Sequence, residues 1–269
     1  MSYPAHHGGF RRRILIEPGA GSITAELEDD YHRMVVTLDH VDGVVNHVEA
    51  RMKRAPWTLC PGAIEQLAAT FTGQPLAGFA GRGEKMLNCT HLHDLALFAA
   101  AHAHGHAGVQ ADGKSGGQAA MAYEIYVSDA VEKRRRAWLW RDGDLIFDWH
   151  LDGDLFLAPA YLAGTRMGEL NPWIATLDPA GKEAARILRW ASILALGRGM
   201  SIPAGLSATA FPAGSCYNFQ PERAPHSTRR PGADVDFSVP GAAPMADRGT
   251  DFAPTVPVPT PAPVSSDAR

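Results

Sequence analysis

Two Asp-Gly pairs constrain this chain more than any other feature. Asp42-Gly43 and Asp142-Gly143 each lie between runs rich in β-branched and aromatic residues. A two-residue Asp-Gly loop suits a type I′ turn, which joins neighbouring antiparallel strands. Residues 32–41 and 44–51 therefore read as one hairpin, and residues 136–141 and 144–151 as another. With uninterrupted pairing each turn fixes the register. Val36 is then expected opposite Glu49, Leu38 opposite His47 and His40 opposite Val45. That register puts Glu49 and His47 on the sheet face of Val36, Leu38 and Val45, an odd place for a carboxylate without a task. In the second hairpin Trp138 is expected opposite Phe147 and Trp140 opposite Leu145, with Trp149 on the same face.

Residues 13–16, 22–28 and 121–127 also read as strands. Cys60-Pro61 opens a helix whose apolar stripe is Ile64, Leu67, Ala68 and Phe71, stopped by Gly73 and Pro75. A second helix is expected from Asn88, a good cap, to about His104-Gly105. Asp178-Pro179 caps a third, through Ile187, Leu188, Ala191 and Leu194 to Gly197. The fold class expected is α+β, with antiparallel hairpins packed against a few helices. One domain over residues 1–238 is expected, with two similar halves, about 1–106 and 119–238, as a variant of that reading. Residues 239–269 hold seven of the 20 prolines and few large apolar residues, so they are expected to form a disordered tail.

The chain has 269 residues and a net charge of −4, which gives no footprint for a nucleic-acid partner. The basic runs 11–13 and 133–136 each abut a strand and read as solvated strand ends. Three cysteines form no disulfide framework, and no segment is long and apolar enough for a signal peptide or a membrane span. The expectation is a cytoplasmic protein with no membrane partner; a homo-oligomer is compatible with this composition. No GxGxxG, GxxxxGK[ST] or GxSxG motif supports a nucleotide-binding or serine-hydrolase reading.

The segment Asn88-Cys89-Thr90-His91-Leu92-His93-Asp94 carries the most chemistry. A cysteine at a helix start meets unpaired amides and the helix dipole, which favour a thiolate. Cys60 holds the matching position on the preceding helix. Three readings stand side by side. Cys60, Cys89 and His91 could bind a divalent metal such as zinc, with Glu49 beside them. Glu49 and His91 could form a metal-free acid–base pair that requires no cofactor. Or both cysteines are small buried hydrophobes and His91 caps amides. The segment is an active site only if Glu49, Cys60, Cys89 and His91 converge. His102, His104 and His106 alternate on a helix and share no face. Trp138, Trp140, Phe147 and Trp149 read as core against the third helix, or as the lining of a site for a flat ligand, with Trp140 and Phe147 as substrate contacts.

The motifs Asp42, Val48-Glu49-Ala50, Pro56, Cys60-Pro61, Leu67, Gly73 and Asn88-Cys89-Thr90-His91-Leu92 resemble a bacterial domain-of-unknown-function family, number 2889. The run from Cys216 to Ala224 resembles that family's carboxy-terminal signature. Members usually have glycine where this chain has Asn88. The resemblance implies a cytoplasmic protein encoded among genes for degrading aromatic compounds. It suggests a lyase acting on a small aromatic substrate of the lignin-fragment type, for example by loss of formaldehyde from a hydroxymethyl side chain. Glu49 and His91 would then serve as base and acid, and Tyr217 and Arg223 would orient the substrate. The competing expectation is an accessory protein that binds a metal or small ligand without turnover.

Overall fold

The computed structural model describes residues 8–103 and 119–248. The fold is α+β, with eight strands and four α-helices among the described residues. The chain clusters into two compact units: Ile14–Ala122 with Ile202–Val235, and Met1–Arg13 with Tyr123–Ser201 and Asp236–Arg269. Strand β1 (Gly9–Pro18) is divided between them after Arg13.

In the first unit the strands run β4-β3-β2-β1, with β2 at Ser22–Asp29, β3 at Arg33–Val41 and β4 at Val44–Arg54. Ile23, Ala25, Leu27, Met34, Val36 and Leu38 are buried and alternate along β2 and β3, as a half-buried sheet requires. Helix α1 (Ala63–Phe71) packs on β4, and α2 (Thr90–Ala101) packs on β2 and β3. The segment 202–235 adds short bridges to this unit, Trp57 to Arg229 and Ser207 to Thr228.

The Asp42-Gly43 turn forms with both residues at positive φ, 52° and 76°. His40 pairs with Val45 as expected, but Asp39 then pairs with His47, so Asn46 is an extra residue in β4. A one-residue bulge moves every later side chain to the opposite face. Leu38 accordingly pairs with Val48 and Thr37 with Glu49. Val48 is buried and Glu49 is exposed, which corrects the expected inward placement of Glu49 and His47.

The second unit contains the strand order β1-β5-β6-β7-β8, with β5 at Met121–Ser128, β6 at Arg134–Arg141, β7 at Asp144–Asp152 and β8 at Leu155–Ala158. Its hairpin repeats the device. Trp140 pairs with Leu145, but Leu139 pairs with Phe147 and Ala137 with Trp149, so Ile146 is the extra residue. The expected single aromatic face is therefore split. Trp138 lies with Trp140 (ring centroids 6.5 Å apart) and Tyr126 on one side, and Phe147 lies with Trp149 (5.7 Å) on the other. Helix α3 (Asn171–Thr176) precedes α4 (Pro179–Leu194), which starts at the expected cap, where Asp178 accepts the Gly181 amide at 2.8 Å. Its buried residues Ala184, Ile187, Leu188 and Ala191 form the apolar stripe, and it packs on β6.

The expected tail boundary is also corrected. Met245 is fully buried and the Arg11 guanidinium donates to the Ala242 carbonyl at 2.8 Å, so the chain is docked past Val239. Residues 249–269 of the expected tail lie outside the described residues, as do His104 and His106. No helix among the described residues is long and apolar enough to cross a membrane.

Candidate active site

The tight loop between β2 and β3 is built by Asp29. Its Oδ1 accepts the backbone amides of Tyr31 and His32, each at 2.8 Å, while its own amide donates to the His32 carbonyl at 2.9 Å. Short acidic side chains favour this self-bonded turn. The same Oδ1 lies 3.0 Å from Nδ1 of His32, and Oδ2 lies 3.3 Å from it. Arg54 fastens the loop from β4 by donating to the carbonyls of Asp30 (2.8 Å) and Asp29 (2.6 Å). Beneath it Arg33 is paired with Glu26 and Glu28. The carboxylate is fully buried and the His32 ring nearly so.

Helix α2 brings His91 to this loop from its first turn. The rings of His32 and His91 lie 3.9 Å apart at an angle of 32°. One donor atom from each of Asp29, His32 and His91 lies within 4.8 Å of the others, and all three residues are buried. A neutral His32 that donates Nδ1–H to Asp29 carries its lone pair on Nε2. The arrangement can orient an imidazole, accept a proton and stabilise the resulting cation on a buried carboxylate.

The residues expected from sequence divide into groups. His91 is in the cluster. Glu49 is not: its side chain is 54% exposed and faces Arg51 at 3.3 Å. Cys60, Cys89 and Cys216 are free thiols close enough to influence one another electrostatically. Burial raises all three, Cys89 to about 12, against the weaker opposing pull of neighbouring amides. The helix-start argument for a thiolate is therefore corrected, because desolvation outweighs the amides and dipole. Cys89 caps α2, in place of the expected Asn88, whose side chain instead bonds Thr70 at 3.1 Å and the Glu84 carbonyl at 3.0 Å.

Tyr217 is held near both cysteine-bearing turns. Its amide donates to the Asn88 carbonyl at 2.8 Å, and its hydroxyl would lie 2.7 Å from a Cβ placed on Gly62. Arg223 stacks on the Tyr217 ring at 4.0 Å and pairs with Glu222 at 2.6 Å. Trp140 and Phe147 belong to the other unit and stand on opposite sheet faces. His93, one turn from the helix start, is buried against Phe71 with neither ring nitrogen hydrogen-bonded. Burial lowers its pKa to about 4, with Lys85 and Arg82 adding to the effect and Glu84 opposing it.

Sequence reasoning missed Asp29 and His32. The signal available was an Asp-x-x-His at a strand end, where an acid that folds back on its own turn also reaches the histidine side chain.

An α+β protein with a carboxylate–imidazole cluster beneath a hairpin is the class these features define. Residues 18–104 match the model of a family described as "Protein of unknown function (DUF2889)". All three cluster residues fall inside the match, whereas the Cys216 to Ala224 run lies beyond it, folded into the same unit. No curated protein matches the chain.

Proposed function

We propose that this protein is a cytoplasmic enzyme acting on small aromatic molecules of the lignin-fragment type, and that its reacting centre is the Asp29–His32–His91 cluster. The observation that carries this reading is the His32 ring, held 3.0 Å from a fully buried carboxylate and stacked on His91 at 3.9 Å. Oriented imidazole on a buried acid is an arrangement suited to proton transfer. A lyase that releases formaldehyde needs no more. The hydroxymethyl O–H gives its proton to the cluster, the C–C bond breaks with its electrons left on the substrate carbon, formaldehyde departs and that carbon is reprotonated. Tyr217 and Arg223, stacked at 4.0 Å, offer an aromatic face and a cation for orienting the substrate.

Formaldehyde release from aromatic dimers that carry a hydroxymethyl group tests the proposal. His91→Ala and His32→Ala are expected to abolish turnover while remaining folded, and Glu49→Gln to leave it unchanged. Full turnover in a folded His91→Ala chain removes the cluster from the chemistry. Wild-type protein that binds such dimers without converting them supports the accessory-protein reading instead.

A further inference from the structure

We infer that Asp29, His32 and His91 together hold a divalent transition-metal ion. The inference rests on the cluster being the reacting centre, and it names the cofactor of that centre. Metal–nitrogen and metal–oxygen bonds of about 2.0–2.2 Å allow two donors on one ion to stand at most about 4.4 Å apart. The three donor groups already lie within 4.8 Å of one another, so shifts of about half an ångström bring them within reach of one ion. Two imidazoles and one carboxylate form a nitrogen-rich, borderline donor set that suits Zn²⁺, Fe²⁺, Co²⁺ or Mn²⁺ rather than the oxygen-seeking Mg²⁺ or Ca²⁺.

The surroundings favour such an ion. Asp29 is fully buried, and its carboxylate, held by the amides of Tyr31 and His32, is an oxygen donor fixed in place. The His32 and His91 rings lie 3.9 Å apart, so two imidazoles share the same small buried space. The hairpin positions two of the ligands before the ion arrives, because Asp29 is fixed by two backbone amides and Arg54 anchors the loop. Cys60 and Cys89 are not part of this group of donors. Three protein ligands leave coordination positions open. An ion held there would lower the pKa of a water bound at an open position and so supply a base for the substrate's proton.

The test uses the full chain, expressed without a histidine tag and stripped with a chelator. Titration with Co²⁺ alone and then Zn²⁺ alone, followed by visible absorption and calorimetry, is expected to give one ion per chain. His32→Ala and His91→Ala should each weaken binding by about 100-fold or more, whereas Cys60→Ser should not. Absence of saturable binding to the wild type overturns the inference, as does undiminished binding to a folded His91→Ala chain. Should a histidine variant fail to fold, ring ¹⁵N spectra of the wild type decide the matter: zinc must shift the nitrogens of two histidines, and unshifted rings overturn the site. Turnover that persists in the stripped chain but disappears in His91→Ala rejects the metal while leaving the acid–base enzyme standing.

Discussion

Asp29 holds the loop and orients His32, and the two roles separate under substitution. In Asp29→Asn the retained Oδ1 still accepts the amides of Tyr31 and His32, both now at 2.8 Å. A hydrogen bond to a charged acceptor contributes about 1 kcal/mol more than one to a neutral acceptor. Three such bonds, including the one from His32 Nδ1, would lose about 3 kcal/mol between them. Removing a buried charge recovers part of that through relieved desolvation, for a net loss of about 1–2 kcal/mol. Asp29→Ala is harsher, because it strands two buried amides at about 1–3 kcal/mol each, or about 4 kcal/mol together. Activity should order differently. A neutral amide oxygen beside Nδ1 stabilises an imidazolium far less than a carboxylate does, and the amide NH2 in place of Oδ2 competes for the other tautomer, so Asp29→Asn should lose turnover by about 100-fold to 10,000-fold despite its milder effect on stability. Urea denaturation measures the first quantity, formaldehyde release the second, and imidazole ¹⁵N shifts report the His32 tautomer. A folded Asp29→Asn protein within threefold of wild-type turnover would refute the orienting role, and equal destabilisation by Asn and Ala would refute the account of the loop.

Two further outcomes concern stability. Ending the chain after Val239 deletes the buried Met245, bares the apolar surface it covers and removes the carbonyl that Arg11 bonds at 2.8 Å, so it should cost about 2–4 kcal/mol relative to ending after Arg248; equal melting temperatures for the two truncations would show the docked stretch to be without consequence. His93→Leu in the chelator-stripped chain should stabilise the protein more at pH 5 than at pH 7. The folded pKa of about 4 lies below the ordinary 6.5, so the unfolded chain binds the extra proton and stability falls as pH drops from about 6.5 toward 4. That linkage amounts to at most about 2 kcal/mol between pH 7 and pH 5, read as the pH dependence of the difference between variant and wild type.

What could be read from sequence was set by how local its cause is. The two Asp-Gly turns and the Asp178-Pro179 helix start are each fixed within a few residues, and each is found where the sequence places it. The registers beyond the turns failed for one shared reason, an extra residue inserted just after the first cross-strand pairs. In β4 that bulge leaves a trace: Val45 and Val48, both buried, are three residues apart rather than two or four. Hydrophobic spacing that breaks the period of two is thus a readable sign of a bulge, and it decides whether Glu49 faces the core or water. In β7 the trace is hidden, since Leu145, Ile146 and Phe147 are all apolar and any register satisfies the pattern.

The candidate cluster was half legible for a related reason. His91 stands at a helix start whose chemistry is local, but its partners come from a loop far earlier in the chain. Only the packing of α2 across β2 and β3 brings them together. The misplaced carboxylate is instructive here. The hairpin register offered Glu49 as the buried acid beside His91, and the folded chain supplies a buried acid there, but from Asp29 on the neighbouring turn. An imidazole at the head of α2 lies against the loop that joins the two strands beneath it. The acid that can serve it is therefore one fixed by that loop's own backbone amides, whereas a residue on the edge strand is free to turn toward water, as Glu49 does.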